Sequence, residues 1–266
     1  MNSEYPTIQD SARKVSPNAF LTVDHLSIRF GTLNALKDVS MTVEKGAIFG
    51  IVGSDGAGKS TLLRTMALMI SPSGGKITIG GRNTVADRRR LKPLIGYMPQ
   101  RFGLYPDLTV LENINFFMDI FDIRGIHRRE RIERYLGFSN LLPFVDRQAG
   151  NLSGGMKQKL GLACVLVHEP QVLILDEPTN GVDPLSRREF WDILIQMRVE
   201  GMTIVISTAY LDEGEKCDRL ALMHRAKLID VVSPRQLCEG FPTLEDALID
   251  RLTKTDEELI HDSFKR

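Results

Sequence analysis

The chain carries no net charge: 34 lysines and arginines are balanced by 34 aspartates and glutamates over 266 residues. A balanced field gives no electrostatic reason to bind nucleic acid or anionic lipid, so no nucleic-acid partner is expected. Cysteine is scarce. Cys164, Cys217 and Cys238 lie far apart without paired or metal-ligand spacing, which excludes a disulfide framework and suits reduced thiols filling a core in a cytosol-like compartment. No uninterrupted apolar run reaches about 18 residues, the length a helix needs to cross a bilayer. The opening stretch MNSEYPTIQDSARKVSPNAF has no apolar block after a basic start, so no signal peptide is expected. A membrane role would have to come through a partner.

What is present is ordinary globular composition, 42% hydrophobic and 26% charged, enough for one large core or two modest ones. Short apolar runs recur in GAIFGIVG, QVLILDEP and MTIVIST, each followed by a turn and a helical pattern, as in a mostly parallel α/β sheet. FLTVDHLSIRFG, DVSMTVEKG and GGKITIGG instead alternate apolar and polar residues, the pattern of half-exposed antiparallel strands. Between Pro106 and Gly150 the texture turns helical, with a capping-box pattern at Thr109 and Glu112. Phe116, Phe117, Ile120 and Phe121 follow at helical spacing and read as the inward face of that helix. The basic runs DRRR (87–90) and HRRERIER (127–134) read as solvated faces. The expected division is a loose tail over 1–19, a main domain over 20–242 with a helical subdomain inserted at about 101–165, and a C-terminal tail of one or two polar helices over 243–266. The tetrapeptide TKTD (253–256) resembles a guanine-reading motif but lies inside a helical pattern, and is read as having no such role.

Residues 53–61, GSDGAGKST, fit G-x-x-x-x-G-K-[ST] between a buried strand and an apolar-periodic helix. Gly53, Gly56 and Gly58 let the backbone curl so that N–H groups of the loop, which also contains Ser54, Asp55 and Ala57, face an anion; the helix beginning near Ser60 and Thr61 adds its dipole. Lys59 is placed to bridge β- and γ-phosphates, and the Ser60 hydroxyl to ligate Mg²⁺. Such a loop needs a second, acidic element, and VLILDEP supplies it where a buried strand ends. Asp176 is expected to reach Mg²⁺ through water, and Glu177 to orient or deprotonate the attacking water. The expected fold is therefore an α/β P-loop NTPase with a mostly parallel core sheet, an N-terminal antiparallel β subdomain and an inserted α-helical subdomain.

LSGGMKQKL, from Leu152, opens a long helix with a Ser-Gly-Gly turn, in which Ser153 also suits an ordinary N-cap. Together with the loop at Gly53 and the acidic strand end, this order resembles the nucleotide-binding domain of ABC transporters, from about Phe20 to Leu252. The resemblance implies ATP and Mg²⁺ as ligands and assigns further roles. Phe30 matches the aromatic that stacks on adenine, although a core phenylalanine at a strand end is the competing reading. Gln100, in GYMPQRFGLYPDLTV, matches the glutamine that touches Mg²⁺ and links nucleotide to the helical lobe. Ser153, Gly154 and Gly155 match the signature turn that approaches the γ-phosphate held by the opposite subunit. Asp183 matches the aspartate that crosses the dimer interface, and also suits a plain helix start.

The resemblance further implies a second nucleotide-binding subunit, identical or not, and transmembrane permease subunits that hold the chain at the cytoplasmic face of the membrane. LSGGMKQKL, YMPQRFGLYPDLTV and PTLEDALIDRL resemble the branch serving type 2 multidrug, polysaccharide and lipid exporters. A soluble relative working on ribosomes or DNA, or a catalytically weak regulatory subunit, are the alternatives. In STAYLDEGE, Ala209 stands where the family usually has histidine, so slow hydrolysis is expected.

Overall fold

The structure, a computed structural model, describes residues 18–264, with side chains described as far as 257. The tail expected over 1–19 lies outside it as far as residue 17. The alternating segments form an antiparallel sheet. Strands β1 (Ala19–Phe30), β2 (Leu33–Glu44), β4 (Gly74–Ile79) and β5 (Arg82–Asn83) lie in the order β2-β1-β4-β5.

The continuous apolar runs build the second sheet. β3 (Ile48–Gly53), β6 (Ile95–Met98), β7 (Val172–Asp176), β8 (Thr203–Ser207), β9 (Arg219–His224) and β10 (Lys227–Val232) lie in the order β10-β9-β3-β8-β7-β6. All neighbours are parallel except the edge pair β9–β10. These strands are apolar throughout because both faces are covered. In β7, Leu173 and Leu175 enter one core cluster while Val172 and Ile174 enter the other, and β8 divides Ile204 and Ile206 from Val205 in the same way. One cluster includes α1 (Lys59–Met66) and the antiparallel sheet; the other holds α3 (Val110–Ile120), α5 (Gly154–Leu166) and α6 (Pro184–Val199). The three cysteines are free; Cys164 and Cys217 are buried, and Cys238 is half-buried.

The helical segment differs from expectation on two faces. Thr109 and Glu112 do form the capping box. The core side of α3, however, is Val110, Ile114 and Met118 with Asn113; of the expected inward set only Phe117 packs, half-buried, against the core, while Phe116, Ile120 and Phe121 are exposed. Asn113 is polar yet fully buried because its side chain donates to the carbonyls of Tyr105, Leu108 and Thr109 and accepts from the Tyr105 N–H. The run 127–134, in α4 (Ile126–Phe138), is likewise no simple solvated face. Arg128 donates to Asn115 and Asp119, Arg131 to the Val167 carbonyl and Glu169, and Arg134 to Glu200, so α4 is fastened to its neighbours.

Beyond β10, residues from Leu244 form one helix, α9 (Leu244–Phe264), following α2 (Arg88–Leu91), α7 (Leu211–Gly214) and α8 (Pro234–Leu237). Leu244, Ala247 and Leu248 are buried in the cluster that holds α3, α5 and α6. No helix among the described residues is long and apolar enough to cross a membrane.

Candidate functional site

Because β6, β7, β8, β3 and β9 run parallel, their carboxyl ends share one edge of the sheet, where ligands bind in open α/β folds. The loop after β3 is shaped by two close approaches. A Cβ on Gly53 would stand 1.9 Å from the Met223 carbonyl oxygen, and one on Gly58 would stand 2.6 Å from that of Ala35. Gly58 is also left-handed (φ 100°) at the N-cap of α1, a conformation that disfavours any side chain. The first N–H groups of α1 have no intrahelical acceptor and point into the loop. Lys59 is 6% exposed, and its Nζ donates to the carbonyls of Gly53 (2.9 Å) and Ser54 (3.1 Å). No carboxylate lies within ion-pair distance of it among the described residues. Buried positive charge inside curled backbone N–H groups suits a phosphate.

A connected set of hydrogen bonds faces this loop. Asp176 is fully buried at the end of β7; its Oδ1 accepts from Ser60 Oγ (2.9 Å) and Ser207 Oγ (3.0 Å). Its Oδ2 is buried without a hydrogen-bond partner among the described residues. A carboxylate oxygen left over beside a serine hydroxyl fits a small hard cation, whose remaining ligands would be phosphate oxygens and waters. Glu177 follows at φ 47°, a costly conformation for a residue with a side chain. Ser207 holds it there, since the Glu177 N–H is 3.0 Å from Ser207 Oγ and 3.2 Å from the Ser207 carbonyl. Glu177 Oε2 accepts from Gln100 Nε2 (2.9 Å) and Asn180 Nδ2 (3.2 Å).

The structure thus joins the loop at 53–61, Asp176, Glu177 and Gln100. Phe30 is 50% exposed at the end of β1, so it is not a core residue. Ser153 and Asp183 are N-caps: Ser153 Oγ accepts from the Met156 N–H, and Asp183 Oδ1 from the Ser186 N–H. That Ser186 N–H holds the Asp183 carboxyl below the usual carboxylate range. A Cβ on Gly155 would stand 2.3 Å from the Ser186 side chain, so the two helix starts pack together. Among the described residues no hydrogen bond or ion pair links Ser153, Gly154, Gly155 or Asp183 to the phosphate loop.

No local pattern ties Ser207 to the acidic strand end or gives Glu213 a role. Ser207 sits opposite Asp176 on β7 and Ile51 on β3, so it lies between the loop strand and the acidic strand. Glu213 is 1% exposed, and its two oxygens accept from Thr179 Oγ1 (2.7 Å) and Thr208 Oγ1 (2.6 Å). It ties the segment after Glu177 to the turn after β8. Ala209 is exposed at that turn, and beside it Tyr210 turns its hydroxyl toward the Gly181 N–H (3.4 Å) under the Arg187 guanidinium.

Residues 36–180, more than half of the chain, match the model of the family described as ABC transporter. The chain belongs to the ABC transporter family. A probable multidrug ABC transporter ATP-binding protein, YbhF of Escherichia coli (strain K12), is 46% identical over 224 residues, covering 84% of this chain but 39% of its own length. The chain therefore spans about two fifths of that ABC relative. The Nod factor export ATP-binding protein I of Rhizobium sp. (strain N33) is 38% identical over 211 residues, 79% of this chain and 69% of its own. Among solved structures, an ATP-binding subunit of an ABC transporter superposes with a TM-score of 0.78 at 25% identity, covering 87% of this chain and 99% of the other. Membership in the ABC family implies ATP binding and ATP hydrolysis.

Proposed function

We propose that the chain is the ATP-hydrolysing subunit of an ABC exporter, working on a drug-like, lipid or polysaccharide substrate through separate permease subunits at the cytoplasmic face of a membrane. The single observation that carries the catalytic reading is the hydrogen-bonded set Ser60–Asp176–Ser207–Glu177–Gln100 facing the phosphate loop. The exporter reading is supported by the names of the relatives at 46% and 38% identity.

In this reading the loop N–H groups and Lys59 bind the phosphates, and Phe30 offers its exposed face to adenine. Ser60, Gln100 and Asp176 would hold Mg²⁺, which neutralises charge that develops on the phosphoryl oxygens. Glu177 orients and deprotonates the attacking water, and Gln100 and Asn180 aim its carboxylate. The turn at Ser153, Gly154 and Gly155, with Ser153 and Gly154 exposed and Gly155 buried against the helix start of Asp183, serves the site of a second nucleotide-binding subunit. The exposed pair of Tyr105, a few residues beyond Gln100, and Phe116, in edge contact with ring centroids 4.7 Å apart, suits docking of permease helices.

The same reading makes turnover slow. Glu213 holds the turn after β8 through Thr208, so position 209 has a fixed place, and the methyl there supplies neither donor nor acceptor. In oxyanion-type sites one missing contact costs about 2.7–4 kcal/mol in the transition state. The test is purification with a membrane subunit and assay of ATPase activity for wild type and Glu177→Gln. Activity that is lost on substitution, in a preparation carrying a permease, supports the proposal. Co-purification with ribosomes, no wild-type activity, or activity indifferent to Glu177→Gln would overturn it.

A further inference from the structure

The phosphate loop is tied to the C-terminal helix by side chains that the hydrolysis scheme leaves unused. Ser54 Oγ lies 2.8 Å from His224 Nδ1, and His224 Nε2 lies 2.8 Å from Asp256 Oδ1 on α9. Arg225 Nε reaches the same carboxylate oxygen at 2.9 Å. A carboxylate only accepts, so Nε2 carries a proton, and the Ser54 hydroxyl, able to donate or accept, completes the bond at Nδ1. The imidazole is 11% exposed, which shelters both bonds from competing water. Asp256 closes the tetrapeptide TKTD, so its acid has a partner in the fold.

The backbone runs the same way. The turn joining β9 to β10 places Arg225 (φ 46°) and Ala226 (φ 66°) in left-handed conformations, a geometry that ordinarily selects Asn-Gly. Residues with side chains are held there from two sides: the Lys37 N–H donates to the Ala226 carbonyl at 2.7 Å, and Asp256 grips Arg225. Just before the turn, Met223 backs Gly53, the first residue of the loop. A continuous path therefore runs from α9 through the end of β9 to the loop.

We propose that His224 is a positioning residue for the phosphate loop, and that α9 sets nucleotide affinity through it. The inference rests on reading this loop as the ATP site. Ser54 is fixed by His224 through its hydroxyl, and its carbonyl in turn holds Lys59 Nζ. Without Asp256 the imidazole loses its anchor, Ser54 loosens, and the loop must be ordered at the expense of binding energy.

Calorimetric titration of the full chain with Mg²⁺ and ATP tests this, with a melting temperature recorded for each variant. Asp256→Ala should raise Kd roughly five- to tenfold, the worth of one hydrogen-bond arm. Asp256→Asn keeps an acceptor, and Asp250→Ala removes an α9 carboxylate that pairs only with Lys254 among the described residues; both should stay within about twofold of wild type. On a Ser54→Ala background, Asp256→Ala should weaken binding markedly less, because the side-chain path is already cut and only the Arg225 arm remains. An unchanged Kd for Asp256→Ala, or the same weakening on both backgrounds, would overturn the proposal. Lys59→Ala separates the two failures. If it binds ATP as wild type does, the loop reading fails and the relay falls with it; if it loses binding while Asp256→Ala is silent, the relay alone is wrong.

Discussion

The turns after β3 and β8 leave neighbouring strands at the same edge of the sheet, yet they are furnished very differently. The first offers curled backbone, a buried lysine and a serine hydroxyl locked onto Asp176. The second is held as firmly, through Ser207 and the threonine pair on Glu213, but presents the methyl of Ala209. On the proposed reading, the first turn binds phosphate and the second lacks an imidazole that would help its hydrolysis. On that reading the contrast separates affinity from rate, and position 209 can be altered without removing a side-chain hydrogen bond of the phosphate loop.

The largest expected effect is that of Glu177→Gln, which leaves the hydrogen bonds around the acidic strand end nearly intact but removes the base. Steady-state ATPase assays should show a loss of about 10²–10⁴-fold with ATP affinity retained. Adding the missing group to the second turn, by Ala209→His, should raise turnover by about 10²-fold, the low end for one oxyanion-type donor, with affinity unchanged. Ser207→Ala blurs the comparison, because Ser207 serves both the Asp176 carboxylate and the Glu177 N–H. It should cost about 1–3 kcal/mol in denaturant unfolding, through buried polar groups left unpaired, and should also slow hydrolysis. The smallest effect lies away from the edge. Burial holds His168 below the usual histidine range, stacked on Phe121, so it resists protonation when folded. As pH falls below about 6.5 the unfolded chain takes up the proton first and stability drops toward the folded value. His168→Gln should flatten that part of the stability–pH curve, as followed by melting temperature.

The two turns were also unequally legible. The phosphate loop is contiguous, and its chemistry is mostly backbone, so nine residues in a row announce it. Asp176 and Glu177 follow a buried apolar run, and the loop itself demands an acidic partner. Ser207 stands out only once β8 is known to lie between β3 and β7, since its role depends on strand order. His224 and Asp256 are separated by 32 residues and belong to a strand end and a helix that no local pattern connects. On α3 the stripe reading fails for Phe116, Ile120 and Phe121 and holds only for Phe117, because Asn113, polar yet satisfied by backbone groups, occupies the core face and hides its period. The arginines of α4 mislead similarly, their partners being carbonyls and carboxylates brought in by tertiary structure.

The proposal that this edge binds ATP and turns it over slowly for want of one side chain is tested most directly by Ala209→His beside wild type. Both would be assayed for ATP affinity and for hydrolysis in a single turnover at saturating enzyme. The account predicts equal affinity and a single-turnover rate that rises with the imidazole in place. A rate that stays the same or falls would contradict it.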